Sequence, residues 1–253
     1  MVAHGAPRPQ AEVREYARVL SSAVQSRYEE KAGAYARFGN GVLAARAGAL
    51  LPPGGRLLDL GCASGGLLAL LRAQAGHLAG LELSPTAALA AARVGDQVVQ
   101  GALEDDDLPF AADSFDVVVL GDVLEHLREP LPALRRALGW CRPQGWVVVS
   151  VPNIAHWRAR LTLLRGRWPS EESGTFDAGH LRFFTRSTLH ELLEQAGLAD
   201  VREDPVVPAL RNHLPVEGLP GRVGGPLERA WQAVGRRRPE LLAFQLVAAG
   251  RRR

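Results

Sequence analysis

The stretch over residues 57–71 constrains the fold more than any other part of the chain. A short apolar run carries an acid, Asp59, and is followed by a loop of glycine and other small residues over 61–66. The apolar run at 67–71 then has the composition of a buried helix. A strand, a tight turn and a helix in this order open a βαβ nucleotide-binding unit, in which glycine lets the backbone approach a ligand. The stretch therefore predicts an α/β protein with its ligand site at this turn.

Two acidic residues at predicted strand ends indicate which ligand that turn binds. Asp59 would repel a pyrophosphate at the helix N-terminus and would attract a ligand that carries an ammonium and a sulfonium. Glu82 ends the next predicted strand, 23 residues further along. An acid about twenty residues along a βαβ unit accepts hydrogen bonds from ribose hydroxyls. The pair favours a cation-bearing nucleoside over a dinucleotide.

With these residues the chain resembles the class I S-adenosylmethionine (SAM)-dependent methyltransferases. That family carries Asp/Glu-x-Gly-x-Gly-x-Gly and then an acid at the end of strand two. The corresponding run here is Asp59-Leu-Gly61-Cys-Ala63-Ser-Gly65, with alanine in place of the middle glycine. An alanine at this position predicts an ordinary backbone conformation there.

A later segment narrows the resemblance. The run His180-Leu-Arg-Phe-Phe-Thr185 is similar to a subgroup of small-molecule methyltransferases near the ubiquinone-biosynthesis type, and the likeness spans about residues 55–205. The resemblance implies a Rossmann-like, seven-stranded, mostly parallel sheet in the order 3-2-1-4-5-7-6, with the last strand antiparallel and helices on both faces. It also implies an N-terminal helical cap and a lid after strand five.

The length of 253 residues fits one α/β domain with decorations better than two domains. The expected divisions are a disordered N-terminus over 1–10, a helical cap over 11–52 and the methyltransferase domain over 53–250, with a lid at 153–184 and a loop-rich insertion at 208–239.

The C-terminal third carries its own secondary-structure signals. Thr185 predicts the N-cap of a helix that Gly197 closes. Beyond it we expect a sixth strand over 201–207, a short helix over 227–234 and a last strand over 241–248. The arginines at 251–253 are expected to form a solubilising tail. The alternative is that they bind an anionic partner.

The resemblance assigns the cofactor to residues of the glycine loop and of the segments after strands two, three and four. They are Asp59, Gly61, Ala63, Ser64, Gly65, Glu82, Leu83, Leu103, Glu104 and Asp122. Leu103 and Glu104 become candidates for the adenine pocket because Ala102 stands where the family commonly has an aspartate.

Two histidines are the candidate catalytic residues. Methyl transfer from a sulfonium is an in-line displacement that needs positioning and an unprotonated nucleophile, and histidine suits base catalysis at neutral pH. His126 follows strand four and His180 lies next to the lid, although each could instead form only a structural hydrogen bond. Glu125 with His126 could help to hold a divalent ion, but two further ligands are missing, so we expect no metal. Cys62 is expected to pack in the loop rather than act as a nucleophile.

The lid places aromatic and leucine residues at helical spacing, with arginines between them. The apolar set is Trp157, Leu161, Leu164 and Trp168, and the basic set is Arg158, Arg160, Arg165 and Arg167. Three interpretations stay open: a lid that presents arginines to an anionic substrate, a membrane-surface or partner-facing helix, and a packing helix with a solvated arginine face.

The predicted function is transfer of a methyl group from SAM to a small-molecule acceptor, with O-methylation favoured and an anionic acceptor compatible with the lid. One alternative is a non-catalytic methyltransferase-like module that partners another enzyme. It is compatible with the two departures from the family pattern, Ala102 and the altered glycine loop. The other is a nicotinamide-dependent oxidoreductase, which would want Gly-x-Gly-x-x-Gly and which Asp59 opposes.

Composition bounds the remaining expectations. A net charge of +3 is too slight to argue for nucleic acid, and two cysteines are too few for a disulfide framework. The sequence has no apolar run of about eighteen residues or more and no signal-peptide pattern. We therefore expect a cytoplasmic protein without a transmembrane segment, as a monomer or homodimer.

Overall fold

A seven-stranded sheet in the order β3-β2-β1-β4-β5-β7-β6 forms the centre of the molecule, a computed structural model that describes residues 40–105, 107–212 and 221–253. The strands are β1 (Arg56–Leu60), β2 (His77–Glu82), β3 (Gln97–Gln100), β4 (Phe115–Gly121), β5 (Cys141–Pro152), β6 (Leu198–Glu203) and β7 (Gln245–Arg252). Strands β1 to β5 pair in parallel, and β7 is antiparallel to both β5 and β6. The predicted strand order and the antiparallel last strand are confirmed.

Helices connect the strands. They are α1 (Asn40–Leu50), α2 (Gly66–Leu71), α3 (Pro85–Ala91), α4 (Pro130–Trp140), α5 (Trp157–Leu164), α6 (Arg186–Ala196), α7 (Gly221–Arg237) and α8 (Pro239–Leu242). The predicted caps of α6 are present: Thr185 forms a capping box with Thr188, and Gly197 closes the helix with a φ of +100°. Within the described part of the chain, no helix has the length and apolar character needed to cross a membrane.

Apolar side chains cover both faces of the sheet, because successive strand residues point to opposite sides. Leu58 and Leu60 of β1 pack in one cluster with residues of α4 and α6. Leu57, from the same strand, packs in the other cluster with residues of α1 and α2. The continuous apolar runs of the strands are therefore explained by burial on both sides.

Part of the predicted organisation lies outside the described residues. This is true of the expected disordered segment at 1–10, of the cap at 11–39 and of residues 213–220 in the loop-rich insertion. The described part of the insertion is more helical than expected, since α7 runs over Gly221–Arg237 where the sequence predicts only a short helix.

The C-terminal strands are displaced from their predicted positions. Strand β6 begins and ends earlier than 201–207, while β7 begins at Gln245 because the preceding apolar residues form the short helix α8. The expected solubilising tail is wrong for Arg251 and Arg252, which pair with residues of β5 and β6. The Arg252 guanidinium also forms an ion pair with Asp113. Strand β7 therefore continues beyond the expected domain end at residue 250.

The topology gathers several polar residues at one edge. Strands β1, β2, β4 and β5 all end there, and the antiparallel β7 begins there, with Gln245 opposite Pro152 of β5. In open α/β sheets ligands bind in the crevice outside the carboxyl ends of the parallel strands. The carboxyl edge of the parallel strands is therefore the expected position of the ligand site.

Candidate active site

Two carboxyl groups are buried at this edge on neighbouring strands. Asp59, one residue before the end of β1, is 4% exposed, and Glu82, the last residue of β2, is 6% exposed. Burial, and then the negative charge of Glu82, raise the pKa of Asp59 to about 7. A positively charged ligand group would favour the ionised form of Asp59. The edge is thus suited to a cation.

Glu82 also organises the backbone around it. Its Oε2 accepts a hydrogen bond from the N–H of Ala63 at 2.8 Å, and its Oε1 accepts one from the N–H of Ser84 at 2.9 Å. The carboxylate therefore ties the glycine loop to the start of α3. Each carboxylate oxygen has a second lone pair, so Glu82 retains the capacity to accept from ligand hydroxyls.

The glycine loop uses three residues in left-handed conformations: Gly61 (φ +78°), Ala63 (φ +45°) and Gly65 (φ +83°). A Cβ on Gly61 would lie 2.6 Å from Val123 Cγ2, and one on Gly65 would lie 2.7 Å from Val94 Cγ2. The expected ordinary backbone at Ala63 is wrong. The loop adopts the positive φ that a glycine would accept without strain, and in that conformation the N–H of Ala63 meets Glu82.

Asp122 follows β4 and is held by two other strands. Its Oδ1 accepts hydrogen bonds from Nε2 of Gln245 at 2.5 Å and from Oγ of Ser150 at 3.3 Å. Burial raises the pKa of Asp122 to about 6, and these two hydrogen bonds oppose the rise. Sequence reasoning missed Gln245 and Ser150. The available signal was the antiparallel last strand, whose first residue has to reach the carboxyl edge.

The other predicted cofactor residues differ in their burial and in their contacts. Ser64 and Glu104 are exposed in loops, and Leu103 is buried in the same apolar cluster as Leu81 of β2. The carbonyl of Leu83 accepts a hydrogen bond from the Gln100 side chain at 3.2 Å. The assignment of Leu103 and Glu104 to adenine binding stays a prediction.

The two candidate catalytic histidines lie side by side, although 54 residues separate them in the sequence. The rings of His126 and His180 meet edge to face with their centroids 4.9 Å apart. The approach is fixed by backbone hydrogen bonds, since the N–H groups of Leu181 and Arg182 both donate to the carbonyl of Glu125. The sequence predicted both histidines as candidate catalytic residues but did not predict that their rings are in contact.

The His126 ring has a defined hydrogen-bond direction. Its Nδ1 lies 3.1 Å from the carbonyl oxygen of Gly179, which can only accept a hydrogen bond. The neutral ring that makes this bond carries its proton on Nδ1 and its basic lone pair on Nε2. His126 is therefore held in a tautomer that can accept a proton at Nε2.

Glu125 stands next to the histidines and is 1% exposed. Burial, and then the charge of Asp122, raise its pKa well above the ordinary value. Neither carboxyl oxygen has a hydrogen-bond partner among the residues that the structure describes. Glu125, His126 and His180 each offer a potential metal-ligand atom, and these atoms lie within 4.8 Å of one another. The structure thus adds His180 to the pair of possible ligands that the sequence suggested.

The lid does not pack as an ordinary amphipathic helix. Helix α5 ends at Leu164, and two members of the predicted apolar stripe are exposed: Leu164 is 85% exposed, and Trp168 is 55% exposed although its ring also contacts Phe176 and Phe183. Of the three interpretations, the packing helix with a solvated arginine face does not account for these two exposed side chains. The open interpretations that remain are those in which this surface meets a ligand, a membrane or a partner.

Comparison with known proteins gives a consistent result. Residues 33–203 match the family model of the methyltransferase domain. A ubiquinone biosynthesis O-methyltransferase from Cereibacter sphaeroides is 32% identical over 158 residues, which cover 60% of this chain and 61% of that protein. The chain thus matches less than two thirds of the length of this relative.

Solved structures share the fold. A SAM-dependent methyltransferase from Thermotoga maritima, a possible histamine N-methyltransferase, superposes with a TM-score of 0.60 at 19% identity, covering 90% of this chain and 99% of that one. The 1,6-didemethyltoxoflavin-N1-methyltransferase of Burkholderia thailandensis, with 1,6-didemethyltoxoflavin and S-adenosylhomocysteine bound, gives 0.60 at 21% identity, covering 99% and 93%. At these identities the likeness concerns the fold alone.

Proposed function

Because this chain belongs to the methyltransferase-domain family of SAM-dependent enzymes, we propose that it transfers a methyl group from SAM to an oxygen atom of a small-molecule acceptor. One observation carries the proposal: the buried carboxyl groups of Asp59 and Glu82 lie on adjacent strands next to the glycine loop. A neutral or anionic nucleotide would gain nothing from Asp59, whereas a ligand with an ammonium and a sulfonium would favour its ionised form.

The residues at the edge divide the binding of SAM between them. Asp59 supplies negative charge to the cationic end of the ligand, and Glu82 accepts from the ribose hydroxyls while it holds the glycine loop. Asp122, braced by Gln245, adds a third acid after β4, on the side of β1 opposite to β2. When bound, SAM supplies an electrophilic methyl group on sulfonium. The protein has only to orient the two reactants and to manage one proton.

His126 is the group that we assign to that proton. A hydroxyl is a weak nucleophile until it loses its proton, and histidine is the side chain best suited to accept a proton near neutral pH. The hydrogen bond from Nδ1 to Gly179 leaves Nε2 as the accepting atom. His180, edge-on to the same ring, restricts its orientation and contributes a second polar side chain to the acceptor site.

A metal-assisted reaction is the second candidate mechanism, and the cluster of Glu125, His126 and His180 favours it. A carboxylate and two imidazoles are a donor set of the kind that binds Zn²⁺, and an ion held there would lower the pKa of an acceptor hydroxyl. Dialysis against EDTA separates the mechanisms. We expect methyl transfer to survive it, whereas loss of turnover that added Zn²⁺ or Mg²⁺ restores would favour the metal.

Cofactor binding tests the proposal first. Calorimetric titrations of the purified protein with S-adenosylhomocysteine and with NAD are expected to show micromolar binding of the former alone. Labelled SAM is then incubated with a panel of phenols, hydroxylated aromatic acids, aliphatic acids and amines, and the products are separated by chromatography. Label in a methyl ether supports the proposal. Binding without label on any acceptor would favour the non-catalytic module, and binding of NAD would favour the oxidoreductase.

A further inference from the structure

A cavity of about 450 Å³ opens on the surface of the lid, just beyond the C-terminus of α5. It is lined by Thr162, Arg165, Arg167, Trp168 and Pro169. Its volume falls in the range of small-molecule sites, which is roughly 300–1,000 Å³. The cavity combines two cations with an aromatic ring and lies outside the set of residues assigned to SAM.

A tight turn brings the two arginines to the same cavity. The N–H of Gly166 donates to the carbonyl of Leu163 at 2.9 Å, and that of Arg167 donates to the carbonyl of Thr162 at 3.2 Å. Gly166 adopts a φ of +67°, which ends α5 and reverses the chain between the arginines. The geometry of the turn, and not the helical repeat, therefore sets the positions of the guanidinium groups.

The cavity has uncompensated positive charge. Across the ranges that the structure describes, neither Arg165 nor Arg167 forms an ion pair or a side-chain hydrogen bond, although Glu171 and Glu172 follow soon after in the chain. Two guanidinium groups at one opening attract an anion, and their planar forks match the two oxygens of a carboxylate.

Trp168 forms a rigid wall that extends toward the histidines. Its ring packs edge-on against Phe176 at 5.2 Å and against Phe183 at 4.9 Å between centroids. Phe183 in turn contacts the ring of His180 at 6.2 Å. The half-exposed indole offers a flat apolar surface at the cavity, and a continuous series of rings connects that surface to the catalytic pair.

We propose that this cavity binds the carboxylate of a planar aromatic acid, and that such an acid is the methyl acceptor. The guanidinium groups of Arg165 and Arg167 hold the carboxylate, and Trp168 stacks on the ring. An acid that extends from Trp168 past Phe183 brings its acceptor hydroxyl toward His180 and then His126. The assignment of the acid as acceptor rests on the proposed methyl transfer, whereas its binding does not.

The test compares a probe that carries a carboxylate with one that lacks it. Calorimetry measures 6-hydroxy-2-naphthoate and 2-naphthol against the wild type, the double variant Arg165→Gln/Arg167→Gln and the matched control Arg93→Gln, an exposed arginine beyond α3. The wild type is expected to bind the naphthoate at least about tenfold more tightly than the naphthol, as charge-assisted hydrogen bonds predict. The double variant should lose that preference, and the control should keep it.

Titration with S-adenosylhomocysteine separates the two proposals. Equal affinity in the wild type and the double variant shows that the variant is folded and that any loss is local to the cavity. Binding of S-adenosylhomocysteine without any carboxylate preference would overturn the acid site and leave methyl transfer standing. If the protein bound the naphthoate with the carboxylate preference but did not bind S-adenosylhomocysteine, the acid site would stand and the proposed methyl transfer would be overturned. Cosedimentation with phosphatidylglycerol vesicles, lost in the double variant, together with no binding of the naphthoate, would overturn the acid site in favour of a lipid surface.

Discussion

Gln245 donates a hydrogen bond from Nε2 to Oδ1 of Asp122 across 123 residues of sequence, at 2.5 Å. The contact connects the first residue of the last strand to the acid that follows β4. Asp122 has a φ of +55°, a conformation that a non-glycine residue adopts at some cost. The antiparallel strand β7 therefore does more than extend the sheet, because its first residue braces an acid at the carboxyl edge of the parallel strands.

Replacing Gln245 with methionine should destabilise the protein in a pH-dependent way. The variant keeps the side-chain volume but removes a donor to a mostly buried carboxylate, which costs about 1–3 kcal/mol. The loss should be largest above the pKa of Asp122, about 6, where the group is ionised, and smaller below it. Urea unfolding on both sides of that pKa measures the effect. Gln195→Met, at an exposed position on α6, is the control, and an equal loss at both pH values would contradict the assignment.

Removing the Glu82 carboxylate should weaken binding of S-adenosylhomocysteine at least tenfold, since a charge-assisted contact is worth about 1.5–3 kcal/mol. Glu82→Gln should fall between Glu82→Ala and the wild type, because an amide has one carbonyl oxygen and can serve only one of the N–H groups of Ala63 and Ser84. Calorimetry measures both variants. Glu129→Ala removes an exposed carboxylate that does not cap α4 and should leave the affinity unchanged.

The sequence allowed us to place those site residues that lie at the ends of apolar strands. It did not allow us to place residues that reach the site through tertiary contacts. Asp59 and Glu82 could be placed at the edge because each lies at the end of an apolar strand. The strand order came from the family resemblance and not from the pattern. Gln245 could not be placed, because an antiparallel strand brings its first residue, not its last, to the edge, and the apolar run at 241–248 hid the true start of β7.

Ala63→Gly should stabilise the protein, against the usual effect of introducing glycine. Ala63 has a φ of +45°, and in that region glycine avoids a Cβ clash that costs about 1 kcal/mol in other residues. The N–H that donates to Glu82 is retained, so binding of S-adenosylhomocysteine should be unaffected or tighter. Ala90→Gly in α3 is the matched control and should destabilise by about 0.5–1 kcal/mol. Denaturant unfolding that shows the same sign for both variants would contradict the backbone argument.

Asp59 should make binding of S-adenosylhomocysteine depend on pH. Its folded-state pKa of about 7 means that the carboxylate is neutralised as the pH falls through neutrality, so affinity for the ammonium should decrease by up to about tenfold per pH unit below that value. Asp59→Asn should bind weakly at every pH. Calorimetry across this range tests both statements, and Asp107→Asn in an exposed loop should follow the wild-type curve.

The same carboxyl group should reduce the stability of the unliganded protein. Its folded pKa is raised above the ordinary value of 3.8, so the folded state binds the proton more tightly and loses stability as the pH rises from about 4 through 7. Above neutrality Asp59→Asn should therefore melt higher than the wild type, by an amount on the order of 5 °C. Thermal unfolding without ligand measures this difference, and a lower melting temperature for the variant would show that Asp59 is stabilised by a contact that burial and charge do not explain.

His126→Gln should reduce turnover without changing cofactor affinity. Glutamine can reproduce the donor that Nδ1 presents to Gly179, but it has no basic nitrogen to take a proton from an acceptor hydroxyl. Loss of a general base lowers the rate by about 10²–10⁴. The measurement is turnover of labelled SAM with the acceptor that the screen identifies, together with calorimetry of S-adenosylhomocysteine.

Two further variants make this prediction specific. His190→Gln removes a partly exposed histidine of α6 and should retain full turnover. His180→Gln should have a smaller effect than His126→Gln, because His180 restricts the ring of the base and is not itself assigned to the proton. If His126 were only a structural residue, its substitution would lower the melting temperature and leave turnover of the folded fraction intact. A rate loss at constant affinity and constant melting temperature is what a base requires, since only the proton transfer is then removed.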